Sequence, residues 1–268
     1  MIAEPTEHKS LRAALGIDPF GDDARRAFVL AGDAGYRGVA FSTSHPELNP
    51  EKLGPTARRH VRRILAGHHL DISSIYLPTT AKGLSDPDRM DHLLHRVEEA
   101  VNFAYALGVR QISLYAGDAD GLKSPVTEDA AKLIAELSDR SGVQVALSGN
   151  DATTLAALLR SVGHGGLRAD LQTQRLLGQR DPLAEAQLLA GRAAQVTCAD
   201  GVKVGQHVRA VPLGQGSTPW RELVQLLNGH EFVGPFVVDV RNLSDPIGAA
   251  RTVAALLPQI AQATPGRR

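Results

Sequence analysis

Short apolar runs rich in Val, Ile and Leu alternate along this chain with longer stretches of helical periodicity. The runs fall at residues 11–17, 38–42, 72–77, 111–115, 144–148, 167–171, 195–198 and 236–240. Each is short enough to be a strand buried on both faces and covered by helices. Between them, segments such as 92–107 place Leu94, Val97, Val101, Ala104 and Tyr105 at helical spacing, so one stripe faces a core and the rest faces solvent. Starts are marked by Asp22 or Asp23, by Thr127 with Glu128, by Asp181 before Pro182 and by Asp245 before Pro246. Gly108, Gly142 and Gly234 stand where helices stop. The order is a repeated βα unit, about eight times over.

Two architectures satisfy that order: a closed (β/α)8 barrel and an open doubly wound sheet. A nucleotide-binding open sheet needs a glycine-rich turn after an early strand, and Leu15-Gly16-Ile17-Asp18-Pro19-Phe20-Gly21 lacks the G-x-G-x-x-G spacing. At 268 residues the chain is the size of one barrel. No internal linker breaks it, so a single domain over 1–268 is expected, with loose ends at about 1–8 and 262–268.

Charge narrows the partners. Twenty-nine basic residues balance twenty-nine acidic ones and neither sign forms a long block, which argues against nucleic acid and against an anionic membrane surface. No apolar run approaches the roughly 20 residues of a membrane span. Cys198 is the only cysteine, and the first ten residues lack the apolar core of a signal peptide, which together point to a reducing cytoplasm.

The stretches GYRGVAFS, FAYALGVRQISLYAG, VPLGQGSTPW and GPFVVDV, in this order, resemble the xylose-isomerase-like TIM barrels, the superfamily of sugar phosphate isomerases and epimerases and of family 2 AP endonucleases. The resemblance is diffuse early in the chain and sharper late, and it decides for an α/β fold made of one (β/α)8 barrel. It also implies a divalent cation held at the carboxyl end of the barrel by a Glu, an Asp, a His and a second Glu. Matched position by position, VALSGN puts Ser148 where the first Glu would stand, and RADLQT keeps the Asp as Asp170 but has Thr173 where that motif's His would be. VTCAD puts Thr197 at the metal-ligand His while keeping the following Asp as Asp200, and FVVDV supplies Asp239 for the last Glu. The metal site is therefore degenerate. Mg²⁺ and Mn²⁺ favour several hard, charged oxygens, at about 2.0–2.1 Å for Mg²⁺. Two carboxylates make a poor cage, so no cofactor is expected beyond a weakly held Mg²⁺ or Mn²⁺.

Other side chains invite a role at the same mouth, each beside a structural alternative. His45 follows the second strand in a βα loop, where it faces either the pocket or solvent. Tyr76 and Tyr115 end the third and fourth strands, and their hydroxyls either bind a sugar oxygen or find a partner at the rim. Asn150 suits a polyol and equally suits a helix cap. The loop LGQGS lacks the lysine and spacing of a P-loop, although its amides and Arg209 could meet an anionic substituent. His68 and His69 fit a basic helix end, Cys198 a buried strand and Trp220 packing at the rim.

Two classes of function remain. One is an isomerase or epimerase acting on a small sugar, ketose or polyhydroxylated acid, with Asp170 and Asp239 as the proton-transfer pair, Ser148, Asn150 and Thr197 orienting hydroxyls, and loop amides or Arg209 facing the developing charge. The other is a catalytically silent member that binds a sugar-like metabolite or accompanies a homologous active subunit or a second copy of itself.

Overall fold

The computed structural model describes residues 11–262 except 180 and 206. The expected loose ends lie largely outside the described residues. The strands in chain order are β1 (Ala13–Gly16), β2 (Gly38–Ser42), β3 (Asp71–Leu77), β4 (Gln111–Gly117), β5 (Gln144–Gly149), β6 (Leu167–Gln172), β7 (Ala193–Cys198), β8 (Asp200–Val204), β9 (His207–Val211) and β10 (Phe236–Val238). All but β8 and β9 close into one parallel barrel in the order β1-β10-β7-β6-β5-β4-β3-β2. The ring is sealed where Leu15 pairs with Val238 on one side and with Val39 on the other.

Helices α1 (Ala24–Ala34), α2 (Pro55–Gly67), α3 (Met90–Leu107), α4 (Ala119–Leu122), α5 (Pro125–Ser141), α6 (Ala152–Val162), α7 (Thr173–Leu177), α8 (Pro182–Ala190), α9 (Trp220–Gly229) and α10 (Pro246–Gln262) connect the strands. Their starts show why the chain turns helical there. Asp23 accepts from the amide of Arg26, Asp181 from those of Leu183 and Ala184, and Asp245 from that of Gly248, each satisfying amides that a first turn leaves unpaired. No helix among the described residues is long and apolar enough to cross a membrane.

Three local expectations are corrected. Helix α5 begins at Pro125, not at Thr127, because proline's fixed φ and missing amide suit the first turn; Thr127 is buried and donates to the carbonyl of Gly121. Tyr105 leaves the buried stripe of α3 and is exposed, while Phe103 takes the core. Gly234 does not stop a helix, since α9 ends at Gly229; a Cβ at Gly234 would fall 1.9 Å from the carbonyl oxygen of Ala194, so close backbone approach demands the glycine.

The main apolar core lies between strands and helices, where Val39, Phe41, Ile75, Leu77, Ile112, Leu114, Val145, Leu147, Leu171, Val196 and Val238 alternate outward. The barrel axis is different. Ala14, Ala40 and Val237 form a small apolar cluster of their own, and the remaining inward positions include Ser74, Ser113, Asp170, Gln195 and Thr197. Barrels of this kind usually fill the axis with bulky branched side chains. Here Gln111 of β4 donates to Gln195 of β7 at 2.8 Å, a buried bond across the barrel between strands that are not neighbours.

The antiparallel hairpin β8–β9 is an addition after β7 that the eight-run reading omits. Asp200 opens it and is 2% exposed. Its carboxylate accepts from the amides of Gly201, Gly214, Gly216 and Thr218, the Thr218 hydroxyl and the Trp220 indole. A Cβ at Gly216 would lie 2.1 Å from Oδ1, so the loop can wrap this carboxylate only with glycine there.

Candidate active site

The carboxyl ends of the strands converge on a cavity of about 90 Å³. Asp18, Ser74, Tyr76, Ser113, Asp170, Gln172, Arg175, Gln195, Thr197, Asp239 and Arg241 supply its polar lining. Asp170 is the deepest charged group, at 2% exposure in β6. Thr197 donates to its Oδ1 at 2.8 Å and Gln172 to its Oδ2 at 3.1 Å. Gln195 donates in turn to Thr197 at 3.3 Å, which extends the network to the Gln111–Gln195 bond. Burial pushes the Asp170 carboxyl above its usual range, with hydrogen bonds from Gln172, Thr197 and Gln195 and the charge of Arg175 pulling the other way.

Asp239, just past β10, meets a different partner. Arg241 donates through Nε to both carboxylate oxygens at 3.0 Å and through Nη2 to Oδ2 at 2.6 Å. The Arg241 guanidinium lies 5.7 Å from the centre of the Tyr76 ring. Arg175, on α7, stacks 4.4 Å over Tyr115, donates through Nε to Gln172 at 2.6 Å, and reaches Asn150 with Nη1. Both tyrosines therefore act as platforms for cations. Burial raises both phenols, so neither ionises near neutral pH.

The residues singled out in the sequence sort into layers around this cavity. Asp170, Asp239, Thr197 and Tyr76 line it. Ser148 sits one layer below, accepting from Gln172 at 3.0 Å and donating to the Leu114 carbonyl at 3.4 Å. Asn150 and Tyr115 touch the cavity through Arg175. His45 is buried behind it: Nδ1 accepts from the Glu47 amide, and Nε2 is enclosed with no partner. Arg209 is left out, being an exposed residue of β9 paired with Val202. The LGQGS loop amides that could have met a substrate anion instead serve Asp200, so the cradle already holds the protein's own carboxylate. Cys198 is buried on the outer face of β7, with its thiol raised well above the ordinary range by desolvation.

Sequence reasoning missed Arg175, Arg241, Gln172, Gln195, Asp18 and Ser74. Position offered a signal for two of them, because Asp18 and Arg241 follow strand ends, where catalytic groups of such barrels collect. Asp18 accepts from the Ser42 amide at 3.0 and 3.1 Å, and burial raises its carboxyl as well.

A larger concavity of about 1200 Å³ opens at the other end of the barrel, beside Arg12, Arg62, Arg110, Arg168, His69 and His230. It lacks a buried carboxylate, and barrel chemistry belongs to the carboxyl end. The small cavity is therefore the candidate site.

A family model described as xylose isomerase-like TIM barrel matches residues 28–260. The chain belongs to that family. A comparison with curated protein sequences finds no match. Among solved structures, the xylose isomerase domain protein from Planctomyces limnophilus superposes with a TM-score of 0.77 at 15% identity, covering 94% of this chain and 96% of that one. A xylose isomerase-like TIM barrel protein from Mycobacterium smegmatis, in complex with magnesium, gives 0.77 and 15%, with 95% and 97% covered. D-psicose 3-epimerase from Clostridium cellulolyticum H10, with D-tagatose, gives 0.76 and 14%, with 94% and 99% covered. At these identities the shared property is the fold.

The family's divalent cation does not fit the residues present. Among the described residues no three His, Cys, Asp or Glu side chains are grouped to hold one ion. Both oxygens of Asp170 accept from neutral donors, and both oxygens of Asp239 are taken by Arg241. Thr197 has neither the imidazole nor a charge to offer, and Ser148 is turned to Gln172. The positive charge at this xylose isomerase-like mouth is guanidinium.

Proposed function

We propose that this protein is an isomerase- or epimerase-type enzyme that moves a proton beside a carbonyl in a small polyhydroxylated compound, without a bound metal. The observation that carries the reading is Asp170: a carboxyl lining a polar cavity, almost wholly buried, and raised by desolvation. A raised carboxyl is a stronger base than an ordinary one, which suits it to proton transfer. In the step, the Asp170 carboxylate takes the proton of a C–H next to the carbonyl, the C–H electron pair moves into the enediolate, and the charge appears on the carbonyl oxygen. Asp170 then returns the proton to the neighbouring carbon while the proton of the adjacent hydroxyl passes to the former carbonyl oxygen, so that the carbonyl moves by one carbon. Arg175 and Arg241 face that charge from fixed positions, the role a cation has elsewhere in such chemistry. Asp239 anchors Arg241 in this scheme. It is not a second base. The lone, buried thiol suits a reducing compartment, in line with a cytoplasmic enzyme.

A panel of ketoses and sugar acids incubated in D₂O tests this. Incorporation of deuterium at the carbon beside the carbonyl, abolished in Asp170→Asn, is the expected result. Saturable binding with no exchange for any compound would overturn it. That outcome favours the silent, metabolite-binding reading, for which the small cavity and the fully bonded Asp170 carboxylate speak.

A further inference from the structure

The two guanidiniums at the mouth of the barrel carry more donors than their protein partners use. A guanidinium has five N–H donors in a planar fork. Arg241 gives Nε and one Nη2 hydrogen to Asp239, which leaves its outer edge, Nη1 with the second Nη2 hydrogen, without a partner among the described residues. Arg175 spends Nε on Gln172 and one Nη1 hydrogen on Asn150, which leaves Nη2. Both guanidiniums line the same cavity, and each is held by an aromatic face. An unpaired donor edge kept rigid in this way loses little freedom when it engages a ligand.

A second observation is independent of the arginines. The hydroxyl of Ser74 lines the cavity at 2% residue exposure and has no hydrogen-bond partner. A buried hydroxyl without a partner costs stability unless something fills the site beside it. The aliphatic walls Ala40 and Val237 supply no such partner, so the position is suited to a polar ligand atom.

We infer that the mouth selects a carboxylate-bearing substrate, a small hydroxy or keto acid, with the free edges of Arg175 and Arg241 on the carboxylate and Ser74 on a neighbouring hydroxyl. The charge at the site supports this. Asp239 is paired with Arg241, whereas Arg175 is in no salt bridge among the described residues, its side-chain hydrogen bonds going to the neutral Gln172 and Asn150. A planar carboxylate also matches two guanidinium edges better than a neutral polyol does.

This inference rests on the mouth being the substrate site, and it concerns which compound binds, not what happens to it. The test is calorimetric titration of the full chain with D-erythronate, with erythritol as the neutral counterpart and with inorganic phosphate as an anion of different shape. Erythronate is expected to bind at least about 10-fold more tightly than erythritol. Arg175→Gln is expected to weaken erythronate by about 10-fold and erythritol by much less, and Arg175→Lys to recover only part of the loss because the fork is gone. Unchanged melting temperatures keep the variants interpretable. Arg175 is the more informative site, because removing Arg241 also exposes the charge of Asp239.

Equal affinity for erythronate and erythritol, no binding of erythronate, or an Arg175→Gln variant that binds erythronate as wild type does would each overturn the inference. Phosphate binding more tightly than erythronate would also overturn the choice of carboxylate. These failures are separable from failure of the enzyme reading. Selective erythronate binding without any deuterium exchange overturns proton transfer alone, and Asp170-dependent exchange on a neutral ketose without anion preference overturns the present inference alone.

Discussion

Arg241 grips the carboxylate of Asp239 from two residues further along the chain, donating both from its side chain and from its backbone amide. The bridge occupies both oxygens of the carboxylate that ends the last barrel strand. Arg241 is half exposed, at 51% for its side chain. Solvent screens such a pair, so Arg241→Ala is expected to change unfolding free energy by no more than about 1 kcal/mol in urea titrations. A loss well beyond that would mean that Arg241 is structural.

Divalent metals should matter little. A ligand that binds only the folded state raises its melting temperature by mass action. With Asp239 engaged and Thr197 and Ser148 uncharged, millimolar Mg²⁺ or Mn²⁺ is expected to leave the melting temperature within about 1 °C of that in a chelator. A clear stabilisation by either metal would show that the carboxylates can be recruited after all.

Asp170 gives a signed dependence on pH. Its folded carboxyl is raised above its ordinary value of 3.8, so the folded state holds the proton more tightly than the unfolded state does. The contribution to stability is present below that value and is lost as pH rises through the raised one. Asp170→Asn removes the titration at the cost of a changed hydrogen bond to Gln172. Across melting curves from acid to neutral pH, the wild type is therefore expected to lose stability relative to the variant as pH rises; a constant difference would contradict the shift.

The buried amides of Gln111 and Gln195 lend themselves to a double-mutant cycle. Gln195→Leu strands the Gln111 donor and is expected to cost about 1–3 kcal/mol. Gln111→Leu in the same background removes that stranded group, so the double variant should cost less than the sum of the singles. Strict additivity would mean that the cross-barrel bond contributes nothing.

Asp200 is the strongest structural prediction. Of its six donors the Gly201 amide and the Trp220 indole are buried with it and the other four are part-buried, and Asp200→Ala leaves the buried pair unsatisfied, at a cost of about 2–4 kcal/mol. The only tryptophan of the chain donates to it, so a red-shifted Trp220 emission should accompany the loss. A variant with unchanged stability and emission would remove Asp200 from the loop's support.

Much of the barrel was readable from residue pattern. The cores Ile112 and Leu114, Val145 and Leu147, and Val196 and Cys198 mark strands that the structure places within a residue or two of their expected limits. What escaped was the second face. Gln111-Ile112-Ser113-Leu114, Ala169-Asp170-Leu171-Gln172 and Gln195-Val196-Thr197-Cys198 alternate polar with apolar, and that alternation points the polar side chains down the axis. Read as runs buried in apolar surroundings, they hid the network beneath the mouth. The hairpin β8–β9 left a similar trace, Val202-Lys203-Val204 and Val208-Arg209 alternating around Gly205. Arg175 was invisible for another reason: only the closed ring brings a residue of α7 over Tyr115. No local spacing encodes that.

The place of Cys198 has a practical consequence. Sealed behind β7 and the helical layer, the sole thiol of the chain can react with a labelling reagent only when the ring itself comes apart. Its modification rate is thus a built-in clock for opening of the barrel, and a new cysteine introduced at the rim could carry a dye with no competing background.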